Sequence, residues 1–151
     1  LRLQNADLES DYNLYEADLA RPLVKKADFH GKTAYIKQRQ LDQHPAYLCT
    51  LTMVDNIDSE GVARYPVGEW PILDSSNGEV LLDSQGRRSI STSVVYGPSI
   101  GKNIVLAYIP QPKAIEGAEF TLEYFGEHFP LQLKAVGYRA LLDPQNQRAK
   151  S

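Results

Sequence analysis

The chain has 151 residues, 42% of them apolar and 23% charged, and a formal net charge of −3 at pH 7. That length bounds the answer to one ordinary domain, or one domain with a piece of another, and it suffices for a sizeable core. The charge excludes a basic field able to hold nucleic acid, and no segment approaches the roughly 18 consecutive apolar residues of a membrane span.

Residues 1–28 mix charged and small side chains without a period, and Pro22 breaks the middle. They are expected to lack a core of their own. The opening LRLQNADLES has no apolar stretch of the kind a secretory signal needs, and Leu1 is not an initiator methionine. A processed or truncated start is therefore expected. One cysteine, Cys49, excludes an intramolecular disulfide and permits a reducing compartment. The expected location is the cytoplasm, or the mitochondrial matrix in a eukaryote.

Lys32 to Leu41 carries good helix formers without Pro or Gly, and His44-Pro45 stops it. From Ala46 onward the period is two. Tyr47, Cys49, Leu51 and Met53 alternate with Leu48, Thr50 and Thr52, and a polar loop follows from Asp55 to Tyr65. Trp70–Leu73 and Glu79–Leu82 flank Asn77-Gly78, a strong hairpin signal, and Ser84 to Arg87 reads as a turn. Ile90, Thr92 and Val94 are expected to share one strand face. Gly97-Pro98 and Gly101 punctuate the next turn, and Asn103 to Ile109 is an apolar run suited to a strand buried on both faces. Phe120, Leu122 and Tyr124 alternate into Gly126-Glu127, and Phe129, Leu131, Leu133 and Ala135 alternate out. Pro130 inside the returning strand suggests an edge. Several short strands joined by turns, behind one short helix, predict a mainly β chain (α+β overall) folded as a barrel or sandwich.

Most chemical motifs fail on spacing. Gly97 to Asn103 has three residues between its glycines where a phosphate loop needs four, and Asn103 stands where the metal-binding hydroxyl belongs. Ser99 and Lys102 match the spacing of acyl-enzyme hydrolases, but their partner motifs are missing and Gly101 spoils the helix. Asp55, Asp58 and Glu60 miss the calcium-loop pattern, because Ile57 and Pro66 fall on ligand positions. His30, His44 and His128 show no ligand spacing, so no metal site is expected. Trp70 beside Pro71 is expected to pack rather than to bind. No catalytic residue is assigned.

Three segments carry a family resemblance. SVVYGPSIGKNIVLAYIP (Ser93 to Pro110) resembles the Tyr-x-x-Ser-x-Gly-Lys turn and Ala-Tyr-Val-Pro strand of the glycine cleavage T-protein (aminomethyltransferase) superfamily, through Tyr96, Ser99, Gly101, Lys102, Ala107, Tyr108 and Pro110. KKADFHGKTAYIKQRQ (Lys25 to Gln40) and LLDPQNQR (Leu141 to Arg148) resemble segments of its dimethylglycine and sarcosine dehydrogenase branch, which is FAD-dependent. The resemblance implies a distorted jelly-roll-like β-barrel at residues 45–151, preceded at 1–44 by the incomplete tail of a folate-binding domain. It implies the C-terminal end of a longer enzyme that oxidises an N-methylated amine and passes a one-carbon unit to tetrahydrofolate. This chain would support the folate site and be inactive alone, and FAD would sit on an upstream part. The expected partners are upstream folate and FAD domains. Tyr96, Arg148 and Arg2 are the implied folate contacts, because aromatic faces and guanidinium groups suit a flat pterin with a carboxylate tail. Gln4, where the family carries an acid, and Val94, where it carries a glycine, depart from the pattern. Two alternatives stand beside this one: a fragment of a stand-alone glycine cleavage aminomethyltransferase, and a β-barrel binding module without chemistry.

Overall fold

The computed structural model describes residues 5–8, 11–21 and 23–137. The fold is mainly β with one short helix, and its six antiparallel strands form a single curled sheet, a half-barrel. After a 3₁₀ turn at Asn5–Leu8, helix α1 spans Lys32–Arg39. Then come β1 (Ala46–Met53), β2 (Ile72–Asp74), β3 (Ser91–Gly97), β4 (Lys102–Pro110), β5 (Glu119–Tyr124) and β6 (Glu127–Val136). The spatial order is β2-β5-β6-β1-β4-β3.

Alternation decides the two faces. Cys49, Leu51 and Met53 of β1, Val105, Ala107 and Ile109 of β4, and Phe129, Leu131 and Leu133 of β6 point into one apolar core. Leu48, Leu106 and Tyr108 point the other way. Each inward Val, Leu, Ile, Phe or Met side chain withdrawn from water contributes about 1.5–3 kcal/mol before entropy is counted. β1 and β4 are both central, and β4, buried from Val105 to Pro110, reads as a continuous apolar run rather than as clean alternation.

The outward face is covered by the chain's beginning. Residues 11–21 cross β1 and β4 as a strap in which Ala17 is buried and Tyr12 and Leu19 pack on Leu48, Leu106 and Tyr108. Tyr12 stacks on Tyr108, ring centroids 3.5 Å apart and planes 5° from parallel. The Leu48 N–H donates to the Glu16 carbonyl at 2.7 Å. A segment expected to have no core of its own thus borrows one from the sheet.

The sheet's two edges meet at one end. The Ser91 N–H donates to the Trp70 carbonyl (2.7 Å) and the Ile72 N–H to the Ser89 carbonyl (3.0 Å), around a bridge between Pro71 and Ile90. Trp70 packs against the core and against Tyr124 and Phe125, each at 4.7 Å between centroids.

Two expectations are corrected. Ile90, Thr92 and Val94 do not form one face, because the β3–β4 register shifts between Ser91 and Ser93. Such a bulge lets adjacent side chains reach one partner: Thr92 Oγ1 (2.5 Å) and Ser93 Oγ (2.9 Å) both donate to the buried Asp7 carboxylate, while Val94 packs against the core. Pro130 is not at an edge either, since β6 lies between β5 and β1. Its carbonyl accepts from the Val54 N–H (2.9 Å) just past the end of β1, so its missing donor falls where β1 has stopped pairing.

Candidate functional site

β3 and β4 are joined by a turn in which the Ile100 and Gly101 N–H groups both donate to the Gly97 carbonyl, at 3.0 and 2.9 Å. Gly101 has φ +63°, a conformation open to glycine. Beyond the turn, Lys102 pairs with Gly97 and Asn103 with Tyr96. The inward series of β4 runs Asn103, Val105, Ala107, Ile109, so Asn103 and its partner Tyr96 lie on the core side at the mouth of the half-barrel. Asn103 is 5% exposed and Tyr96 52%. The apolar interior therefore ends in a buried carboxamide and then an open aromatic ring.

The opposite wall is the exit of β1. Met53, Val54, Asp55 and Asn56 lead into a loop that returns at Tyr65. The loop is tied to itself. The Asn56 carbonyl accepts from the Arg64 N–H (2.7 Å), its side-chain amide donates to the Arg64 carbonyl (2.9 Å), and Ile57 bridges Ala63. The Asp58 carboxylate accepts from the N–H groups of Val62 (2.8 Å) and Glu60 (3.0 Å) and from Arg64 Nε (2.5 Å). These bonds, the Val62 one foremost, hold its pKa below the ordinary carboxylate value. The Asp58 carboxylate thus serves the loop's own structure. Ser59 pins the loop to Glu127 at the β5–β6 turn through two hydrogen bonds, 2.5 and 3.2 Å.

Between these walls lies a cleft of about 560 Å³, lined by Tyr65, Tyr96, Lys102, Asn103, Asp55 and Asn56 over a Met53 floor. Its size is that of a small-molecule site. Two phenol rings, one ammonium, one carboxylate and two carboxamides suit a flat, hydrogen-bonding ligand that carries an acidic group. Among the described residues no Ser, Thr, Cys or His lines it, and none of them supplies a nucleophile–base pair of the usual kind there. Among the described residues no cluster of His, Cys, Asp and Glu could hold a metal ion.

Of the residues singled out in the sequence, Tyr96 and Lys102 stand together on this cleft. Arg2, Gln4 and Arg148 lie outside the described residues. Tyr65, Asp55, Asn56 and Asn103 were not legible as lining residues. Asn103 in particular hides at the start of an apolar run, and only the strand phase reveals that it faces inward.

A second polar cluster anchors the strap. The Arg87 guanidinium donates to Glu16, to Asp83 through Nε at 2.6 Å, and to the Asp11 carbonyl, and it lies 4.2 Å from the Tyr12 ring centroid. Burial opposes the charge on Arg87, but its bonds to Glu16 and Asp83 outweigh it and hold the pKa above the usual arginine value. Glu16 also accepts from the Asn13 (2.9 Å) and Ala46 (3.3 Å) N–H groups. This cluster is saturated by its own partners, so we read it as structural.

Residues 69–135, a little under half of the chain, match the family model described as the glycine cleavage T-protein C-terminal barrel domain. Among solved structures, the chain is similar to the glycine cleavage system aminomethyltransferase T from Bartonella henselae, with 24% sequence identity and a TM-score of 0.62. That similarity covers 89% of this chain and 34% of the other, so the chain spans about a third of that relative's length. No curated protein gave a significant match. No helix among the described residues is long and apolar enough to cross a membrane.

Proposed function

We propose that this chain is the C-terminal barrel segment of an aminomethyltransferase-type protein, and that its mouth cleft forms part of a site for tetrahydrofolate. The observation that carries the reading is the match of residues 69–135 to the T-protein barrel, which supplies one wall of the cleft, with Tyr96 and Lys102. Tyr96 and Tyr65 offer rings to a flat pterin or benzoyl group, and Lys102 offers a cation to a glutamate carboxylate. Asn103 and Asn56 present donors and acceptors between them. Arg2 and Arg148 remain proposed contacts. The chain supports the site and supplies no complete catalytic set.

Within this reading the parent is an FAD-dependent dehydrogenase of dimethylglycine or sarcosine type. What supports it is sequence: Ala27-Asp28-Phe29 with Gly31-Lys32, and Asp143-Pro144 with Asn146 and Arg148. A stand-alone aminomethyltransferase is the second reading, favoured by the fold of the Bartonella henselae protein.

Calorimetric titration of the chain with 5-formyltetrahydrofolate tests the site. The expected result is binding that weakens about tenfold or more in Tyr96→Ala and in Lys102→Ala, the scale of one lost charge-assisted bond or ring contact. Binding that is absent, or unmoved by both substitutions, overturns the assignment of the cleft.

A further inference from the structure

Asn77-Gly78 forms the tip of the hairpin that leads out of β2. The sequence holds six asparagines, and Asn77 alone precedes a glycine. Such a pair sets an electrophile beside a nucleophile. The side-chain Cγ and the next main-chain nitrogen can close a five-membered ring, and glycine leaves that nitrogen without a shielding side chain. Here the fold keeps the pair open to water: Asn77, Gly78 and Glu79 are all exposed. Gly78 has φ +73°, and a Cβ built on it would meet nothing within 4 Å among the described residues.

The tip also holds the reacting groups. The Glu79 N–H donates to Asn77 Oδ1 at 3.0 Å, and Asn77 Nδ2 donates to the Glu79 carboxylate at 3.1 Å. The first bond aims a main-chain donor at the oxygen where negative charge collects during attack on Cγ. The second sets a proton acceptor against the leaving nitrogen, well placed to relay a proton to it. One bond opposes the reaction, since the Gly78 N–H donates to the Asp74 carbonyl at 2.8 Å. Breaking a single exposed main-chain bond slows the reaction by about tenfold at most.

We propose that Asn77 is a self-modification site, converted in the folded chain to aspartate and isoaspartate. The Gly78 nitrogen gives up its proton and bonds to Asn77 Cγ. The Cγ–Nδ2 bond breaks, and ammonia leaves with that proton. Water then opens the cyclic imide. Cleavage of the bond from Cγ to the Gly78 nitrogen yields aspartate, and cleavage at the main-chain carbonyl yields isoaspartate; nothing is oxidised or reduced. The product alters the end of β2. A carboxylate at 77 has no N–H to give Glu79, and it joins Asp74 and Glu79 beside the Lys113–Asp74 pair. The isoaspartyl form also lengthens the main chain by one methylene inside the loop closed by the Asp74 N–H and the Glu79 carbonyl.

The test holds the purified protein at pH 8 over days and follows tryptic peptide 65–87, in which Asn77 is the one asparagine, by mass spectrometry. That peptide is expected to gain about 1 Da, with ammonia released and both products formed. The native rate is expected to lie within about tenfold of that of the free peptide SSNGEV. Glu79→Gln, which keeps the main-chain donor and removes the carboxylate, is expected to slow it about threefold or more. Asn77→Ser is expected to abolish the gain. A native protein that stays intact while the free peptide and the urea-unfolded chain react overturns the proposal in favour of protection by the Gly78–Asp74 bond. A gain that persists in Asn77→Ser overturns it by placing the chemistry at another residue. A rate unmoved in Glu79→Gln overturns the part given to the Glu79 carboxylate.

Discussion

Arg87 reaches Glu16 across 71 residues of sequence, and the Glu16 side chain is only 2% exposed where they meet. The same guanidinium holds Asp83, whose side chain is equally buried. One cation thus keeps two carboxylates out of water and fastens the strap to the half-barrel.

Removing that cation leaves two buried negative charges facing each other. Arg87→Met is expected to lower stability by about 3–5 kcal/mol, the usual cost of breaking a buried pair from one side. Urea unfolding followed by fluorescence measures it. Adding Glu16→Gln and Asp83→Asn to Arg87→Met is expected to recover part of the loss, because the uncompensated charges go with it. A loss below about 1 kcal/mol would show that the stacked Tyr12 and Tyr108, and not the ions, hold the strap.

Asn103 separates two roles, core and ligand. Asn103→Val continues the inward series of Val105, Ala107 and Ile109 and places a β-branched residue on a strand. Stability is expected to hold or rise by up to about 1 kcal/mol, while folate affinity falls. A drop of more than about 2 kcal/mol in thermal unfolding would assign the amide to the fold instead.

Cys49 is fully enclosed, and burial pushes its thiol up to about 12 from an ordinary 9.0. The thiolate is the reacting form, so native Cys49 is expected to react with a disulfide reagent at pH 8 about a thousandfold more slowly than the unfolded chain, before shielding by the core is counted. The sign for stability follows. The unfolded thiol ionises first, so the contribution of keeping Cys49 protonated is whole below pH 9 and is lost as pH rises toward 12. Labelling with and without urea, read by absorbance, tests the first expectation.

Asp74 behaves in the opposite sense. Its bond from Lys113 Nζ, aided by the Ser76 backbone and hydroxyl, brings the carboxyl down to about 2 from 3.8. Its contribution is present above the unfolded value and disappears as pH falls from about 4 through 2. Lys113→Met is expected to move the Asp74 titration upward, with part of the shift retained through Ser76. Carbon NMR of the carboxyl group reports it directly.

Period-two alternation made β1, β5 and β6 readable, because alternate residues of each must enter one core, and β4 was readable as an apolar run because both its faces are covered. What the sequence concealed lies in interruptions of that period. The bulge at Thr92 answers to a carboxylate, Asp7, that sits some 85 residues away. Pro130 looked like an edge residue because the end of β1 opposite it cannot be inferred from β6 alone. The strap was illegible for a different reason: stacking and ionic contacts hold it, and these need no repeat. For the cleft, family resemblance pointed to Tyr96 and Lys102, whereas Asp55, Asn56 and Tyr65 come from a loop whose return depends on its own backbone bonds.

The central place of β1 has a consequence for biosynthesis. β1 is made before either of its neighbours, and Thr50 meets its partner on Gly137 only 87 residues downstream. Its other edge meets β4 sooner, Thr50 pairing with Leu106. At the usual 5–20 residues per second, a ribosome leaves the β6-facing edge of this apolar strand without its final pairing for about 4–17 s. During that interval AYLCTLTM has neither a charge nor a proline within it to discourage pairing with another chain. Slower synthesis between β1 and β6 is therefore expected to widen the window for aggregation and to lower yield in the cell.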